Sequence, residues 1–184
     1  MKRLTDIILS LLALALLAPV LLLAALAVVW GSGLPVLFTQ TRVGMGGREF
    51  GMFKFRSMVK NAASTGPYFT QAYDRRITRV GQFIRRTSID ELPQIINVLL
   101  GDMSLVGPRP DVPAQQYLYT PQDWAQRCSV RPGITGLAQV KGRSAVTPEQ
   151  RLALDLAYAR QVSWWRDIQI MWWTVSQLRG RQAN

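Results

Sequence analysis

The sequence predicts an α+β fold, predominantly helical with a small β-hairpin, carried on an N-terminal membrane helix. Three observations point there. Residues 7–30 are uncharged and almost wholly apolar, two short strand-like runs flank the glycines at 44–47, and most of the remaining chain has helical spacing broken by capping residues. Two regions follow: 1–34 as a membrane anchor, and 35–184 as a globular domain ending in a Trp-rich amphipathic, interfacial helix.

The anchor, IILSLLALALLAPVLLLAALAVVW, would be roughly 36 Å long as a straight helix, enough to cross a bilayer. Pro19 interrupts it, removing a backbone hydrogen bond and favouring a kink. Both flanks are positive, Lys2 and Arg3 before it and Arg42, Arg48, Lys54, Arg56 and Lys60 after it. Positive flanks favour the cytoplasmic side, so a re-entrant helix broken at Pro19 is expected in preference to a single span. A cleaved signal peptide fits less well, because the apolar run continues through Val28, Val29 and Trp30 beyond the small residues at 25–27.

Residues 35–58 read as two strands joined by a turn at Gly44–Gly47. In the second, Phe53 and Phe55 alternate with Lys54 and Arg56, placing the aromatics on one face and the cations on the other. A solvated strand face explains that pair as readily as a binding face. Residues 61–76 form a polar loop. RITRVGQFIRR then places Ile77, Val80 and Ile84 on one helical side, with Gly81 weakening the helix, and Arg75, Arg76, Arg79, Arg85 and Arg86 make it the densest basic region.

Next, SIDELPQ sets two acids side by side before Pro93. Proline is welcome in a first turn and its predecessor avoids the helical region, so a helix is expected to begin near Asp90–Leu92. The acids then sit at its positive end, which favours their ionised forms. Consecutive helical residues diverge by about 100°, which disfavours a facing carboxylate pair of the glycosidase kind and favours unlike roles for Asp90 and Glu91. One role is an ionised nucleophile toward phosphorus and the other helps to hold a cation. A plain helix start accounts for the pair nearly as well.

The helix continues through PQIINVLL to Gly101, before a rigid GPRP corner around Arg109. VRPGITGLAQVKGR reads as loop and strand, and Thr147-Pro148-Glu149-Gln150 as a helix entry. In SWWRDIQIMWWTVSQLRGR, Trp165, Ile168, Trp172 and Val175 form one stripe, near Arg166, Arg179 and Arg181. That stripe suits a membrane interface and a packed helix equally.

Composition removes several chemistries. With no histidine, Ser-His-Asp and Cys-His nucleophile schemes, His-ligated zinc and imidazole bases are excluded. The single cysteine, Cys128, cannot form an internal disulfide and reads as a small buried apolar residue. A balance of 22 Lys and Arg against 11 Asp and Glu, net +11, suits nucleic acid, anionic lipid or a phosphorylated substrate. No nucleic-acid-binding motif is present, so no nucleic-acid partner is expected. A membrane-anchored basic protein that binds anionic lipid or nucleic acid without catalysis is the alternative, but it gives no reason for the acidic pair.

KFRSM (54–58), RRTSIDELPQIINVLLGDMSLVGPRP (85–110), RPGITGLAQVKGR (131–143) and SWWRDIQIM (163–171), in that order after a hydrophobic segment, resemble the bacterial sugar transferases, the monotopic phosphoglycosyl transferases of glycoconjugate assembly. The resemblance implies transfer of a phospho-sugar from a nucleotide-diphospho-sugar such as a UDP-sugar to polyprenyl (undecaprenyl) phosphate. It implies a covalent aspartyl intermediate, UMP release and dependence on Mg²⁺. Matched by position, Asp90 is the nucleophile, Glu91 joins it at the metal, and Lys54, Arg56, Arg85, Arg109 and Arg143 contact phosphate. The implied location is the cytoplasmic face of the bacterial inner membrane. One departure is visible: Ala18 precedes the anchor proline where relatives often carry Ser. Nothing in the sequence names the sugar or sets an oligomeric state, and a homo-oligomer is compatible with it.

Overall fold

The computed structural model describes residues 1–62, 74–142 and 147–180. Most of the polar loop at 61–76, together with Arg143 and Arg181, lies outside the described residues. Helix α1 spans Lys2–Ser32 as one element with Pro19 inside it. Strands β1 (Leu37–Val43) and β2 (Glu49–Phe55) pair antiparallel, with Leu37 opposite Phe55 and Val43 opposite Glu49. Gly46 and Gly47 make their turn with φ of 70° and 76°, a backbone region where a side chain would be strained. The expected hairpin is therefore present.

Helix α2 (Arg79–Arg86) starts at Thr78, whose hydroxyl accepts the Gly81 N–H. Gly81 has a packing reason: a Cβ there would overlap the Ser57 carbonyl, because α2 lies directly on the chain leaving β2. A 3₁₀ turn at Ile89–Glu91 leads into α3 (Gln94–Leu100), which ends on Gly101 at φ 98°. Leu92 adopts helical angles despite preceding a proline, held by a hydrogen bond from its N–H to Ile89 and another from Ile95 to its carbonyl. Two local bonds outweigh the steric preference.

Strand β3 (Ser104–Val106) pairs parallel with β4 (Gly133–Thr135), enclosing the GPRP corner, a 3₁₀ turn at Pro113–Leu118 and α4 (Pro121–Arg127). The stretch read as loop and strand contains, after β4, a further helix α5 (Leu137–Gly142). Helix α6 (Pro148–Arg160) opens with the capping box of Thr147 and Gln150, and α7 spans Trp164–Gly180. Ile170 on α7 is fully buried in a core with Val106, Leu137, Val140 and Tyr158, while Trp165 and Trp172 face outward, 74% and 69% exposed. Helix α7 is thus both packed and apolar on its free side.

Both ends of α1 dock on this body. At the first, Lys2 pairs with Asp167 at 2.5 Å, Arg3 donates to the carbonyls of Val98 and Leu99, and buried Asp6 accepts from Ser104 Oγ and the Leu105 N–H. At the other end, Ala24 and Val28 pack against Phe55 and Ile84. The buried residues of α1 are confined to these two ends, at Asp6, Ser10, Ala24 and Val28. Its middle exposes Leu11, Leu12 and Leu16, and the helix is long and apolar enough to cross a membrane.

Candidate active site

The chain turns sharply between α2 and the 3₁₀ turn. Ser88 sits in the left-handed region at φ 58°, an uncommon conformation for a non-glycine residue, and the turn directs Asp90 inward until it is only 8% exposed. Fully buried Asn97 ties α3 to β2: its amide donates to the Gly51 carbonyl at 2.8 Å and its oxygen accepts the Phe53 N–H at 2.9 Å. That tie brings the residue after Phe53 to the acidic pair. Lys54 Nζ lies 2.9 Å from Glu91 Oε1.

The GPRP corner closes the site from the other side. Arg109 Nη2 lies 2.6 Å from the same Glu91 oxygen, and Nη1 lies 3.5 Å from Oε2. Burial opposes ionisation of Glu91, but Arg109 and then Lys54 outweigh it and hold the carboxyl at about 2. Asp90 differs. Burial pushes it above the ordinary carboxylate value and the Glu91 charge adds to this, while Lys54 and Arg85 pull it back down. The two acids therefore have unlike environments, as their spacing suggested: Glu91 is neutralised by two cations, and among the described residues no ion pair closes on Asp90.

Of the five cations matched to phosphate contact, the structure brings three around the acidic pair. Lys54 and Arg109 touch Glu91, and Arg85, which also donates to Ser57 Oγ at 2.8 Å, acts on Asp90 through its charge. Arg56 is placed elsewhere. It is buried beyond the end of β2 and donates to the carbonyls of Ser32 and Gly33, capping the C-terminal end of α1. Arg143 lies outside the described residues.

Sequence reasoning missed the layer behind Arg109. Arg127 pairs with Asp111 at 2.7 Å and with Asp155 at 3.0 Å, and Arg151 pairs with Asp111 at 2.9 Å. The Tyr119 hydroxyl donates to Asp111 at 2.7 Å. Arg151 and Asp155 stand four residues apart on α6, a spacing that signals an ion pair, but nothing local links either to Asp111.

The profile of the family described as "Bacterial sugar transferase" matches residues 1–181. The chain belongs to the bacterial sugar transferase family. It is 47% identical to a UDP-glucose:undecaprenyl-phosphate glucose-1-phosphate transferase of Caulobacter vibrioides, over 96% of this chain and 69% of that protein. It is equally 47% identical to a protein of the same name from Escherichia coli K12, over 95% of this chain and 39% of the relative. A UDP-N-acetylgalactosamine-undecaprenyl-phosphate N-acetylgalactosaminephosphotransferase of Aeromonas hydrophila is 42% identical, over 95% of this chain and 42% of that protein. The chain thus spans about two thirds of the first relative's length and about four tenths of the other two.

The Glu91 clamp carries a pH signature. Its pKa is depressed from 4.5 to about 2, so its stabilising contribution is complete above pH 4.5 and is lost as pH falls toward 2. Unfolding midpoints of wild type and Glu91→Gln, followed down from about pH 6, are expected to differ at first and converge in acid. A gap that stays constant to pH 2 would show that the ion pairs contribute nothing.

Proposed function

We propose that the protein is a membrane phosphoglycosyl transferase that moves a phospho-sugar from a UDP-sugar to polyprenyl phosphate through an aspartyl intermediate on Asp90. The observation that carries this reading is the buried Asp90 beside a Glu91 already neutralised by Lys54 and Arg109, in a chain of the sugar transferase family. In the first step an Asp90 carboxylate oxygen attacks the sugar-linked phosphorus. A P–O bond forms to Asp90, the bond to the nucleoside phosphate breaks, and UMP leaves with the electron pair. In the second step an oxygen of polyprenyl phosphate attacks the same phosphorus. The bond to Asp90 breaks, the carboxylate is regenerated, and polyprenyl-diphospho-sugar departs.

Anion meeting anion is the barrier to both steps. Lys54, Arg85 and Arg109 surround the pair with positive charge and would hold the diphosphate against its repulsion from Asp90. Burial of Asp90 leaves the carboxylate poorly solvated, which makes the ionised form a stronger nucleophile. Relatives whose names specify glucose and N-acetylgalactosamine match to similar degrees, so the reading covers UDP-sugars as a class.

Mg²⁺ fits the donors present. Among the described residues no group of three or more acidic or cysteine side chains gathers into an all-protein cation site. Magnesium instead uses one or two carboxylates, several waters and substrate phosphates. Asp90 and the Glu91 Oε2, which has the longer contact to Arg109, would hold the ion. When bound it would supply further neutralisation of the phosphate charge.

The layout of α1 supports a re-entrant anchor at the cytoplasmic face of the inner membrane. At its ordinary rise, a straight helix of 31 residues would run about 46 Å. Here both ends dock and the segment leading to Pro19 is exposed and apolar, as expected if the helix bows into lipid and returns.

With Mg²⁺, undecaprenyl phosphate and a panel of UDP-sugars, at least one sugar is expected to give UMP release. Asp90→Asn should lower that rate by at least about 10³-fold, and Arg109→Ala by about 10²–10³-fold. Release of UMP by Asp90→Asn at the wild-type rate would remove Asp90 from the chemistry. For topology, cysteines placed singly near Lys2 and near Thr39 in a Cys128→Ala background should both react only with reagent on the cytoplasmic side. Reaction from opposite sides would establish a span.

A further inference from the structure

The GPRP corner holds its arginine by the main chain as well as by the side chain. Arg109 points its guanidinium at Glu91, and its carbonyl oxygen receives two donors from behind: Arg127 Nη2 at 2.5 Å and Arg151 Nη2 at 3.4 Å. Arg127 is almost fully buried at the end of α4, and its other nitrogens are spent on Asp111 and Asp155. Burial opposes its charge, and Asp111 and Asp155 overcome that cost and keep it cationic. Neither Arg127 nor the carboxylates it binds reaches Glu91. The whole assembly ends at the backbone of Arg109 and at Asp111, two residues further on.

The neighbouring backbone is held the same way. Arg42 donates to the Pro110 carbonyl at 2.9 Å, the Val43 N–H donates to Asp111 at 2.9 Å, and the Gly133 N–H donates to Pro108 at 2.9 Å. Pro108 and Pro110 fix φ on both sides of Arg109. Among the described residues, charged groups from α4 and α6 reach the carbonyl of Arg109 and no other peptide carbonyl of this corner. A guanidinium suits the task because its planar fork spreads its donors over separate nitrogens and can serve two carboxylates and a carbonyl at once, whereas an ammonium gathers all of its donors on one nitrogen.

We propose that Arg127 is a positioning residue for catalysis: by holding the Arg109 carbonyl from α4, it aims the Arg109 guanidinium at Glu91 and at the phosphate of the substrate. Arg151 assists from α6. This proposal rests on the phosphoglycosyl transferase reading for the kinetic part of its test, but its geometric part does not depend on that reading.

The test is a double-mutant cycle with a structure determination. Arg127→Lys keeps the positive charge in the buried site, and Arg151→Gln, nearer the surface, is the milder variant should the first fail to fold. In the folded fraction Arg127→Lys is expected to lower kcat/KM for the UDP-sugar by about 10–100-fold. In an Arg109→Gln background the same change should cost less than about twofold, because the group it positions is already gone. Arg151→Gln should show the same dependence on Arg109 with a smaller loss. Equal losses in both backgrounds would overturn the proposal, since a purely structural role is additive. Ligand-free structures of Arg127→Lys or Arg151→Gln should show Arg109 Nη2 displaced beyond 4 Å from Glu91 Oε1. Retention of the 2.6 Å contact would also overturn the proposal, whether or not the wild type transfers sugar. Absence of UMP release from the wild type would count against the transferase reading alone.

Discussion

Glu91, shared between Lys54 and Arg109, is the interaction on which the site depends. Three separate parts of the chain meet at this carboxylate: the end of β2, the 3₁₀ turn after α2, and the corner after β3. Lys54 and Glu91 are only partly exposed, so leaving either charge without its partner would be costly, and Arg109 joins them from the more open side. The clamp is therefore stable only when all three parts are in place. It leaves the adjacent Asp90 as the acid that no described cation engages directly, and in the proposed mechanism that makes Asp90 the nucleophile.

The membrane helix belongs to the same construction. Arg3, near its first turn, caps the C-terminal carbonyls of α3, the helix that follows the acidic pair. Arg56, two residues after Lys54, caps the C-terminal end of α1 itself. Each end of the anchor thus meets an element that carries one side of the clamp.

Local pattern made much of this legible. The apolar run, the Gly44–Gly47 hairpin, the Thr147 capping box and the Gly101 helix end were all readable because each depends on a few consecutive residues. The Asp90–Glu91 pair stands out from its own local setting before Pro93. Lys54 and Arg109 are matched to a phosphate role only by motif resemblance, and the structure brings all four together. Arg56 shows the limit: period-two alternation put it beside Lys54, but β2 ends at Phe55 and the chain turns Arg56 toward α1. Buried polar contacts between distant segments left no trace in the sequence. Asp6 with Ser104 and Arg127 with Asp111 and Asp155 are of this kind, as is the parallel pairing of β3 with β4.

The proposed mechanism turns on one bond, between Asp90 and phosphorus. Wild-type protein mixed with Mg²⁺ and the UDP-sugar it accepts, without polyprenyl phosphate, should gain the mass of one phospho-sugar. Peptide mass spectrometry of the quenched protein is expected to place that mass on Asp90, and adding polyprenyl phosphate should remove it. A phospho-sugar found on another residue, or a fully active protein that never gains the mass, would contradict the Asp90 mechanism.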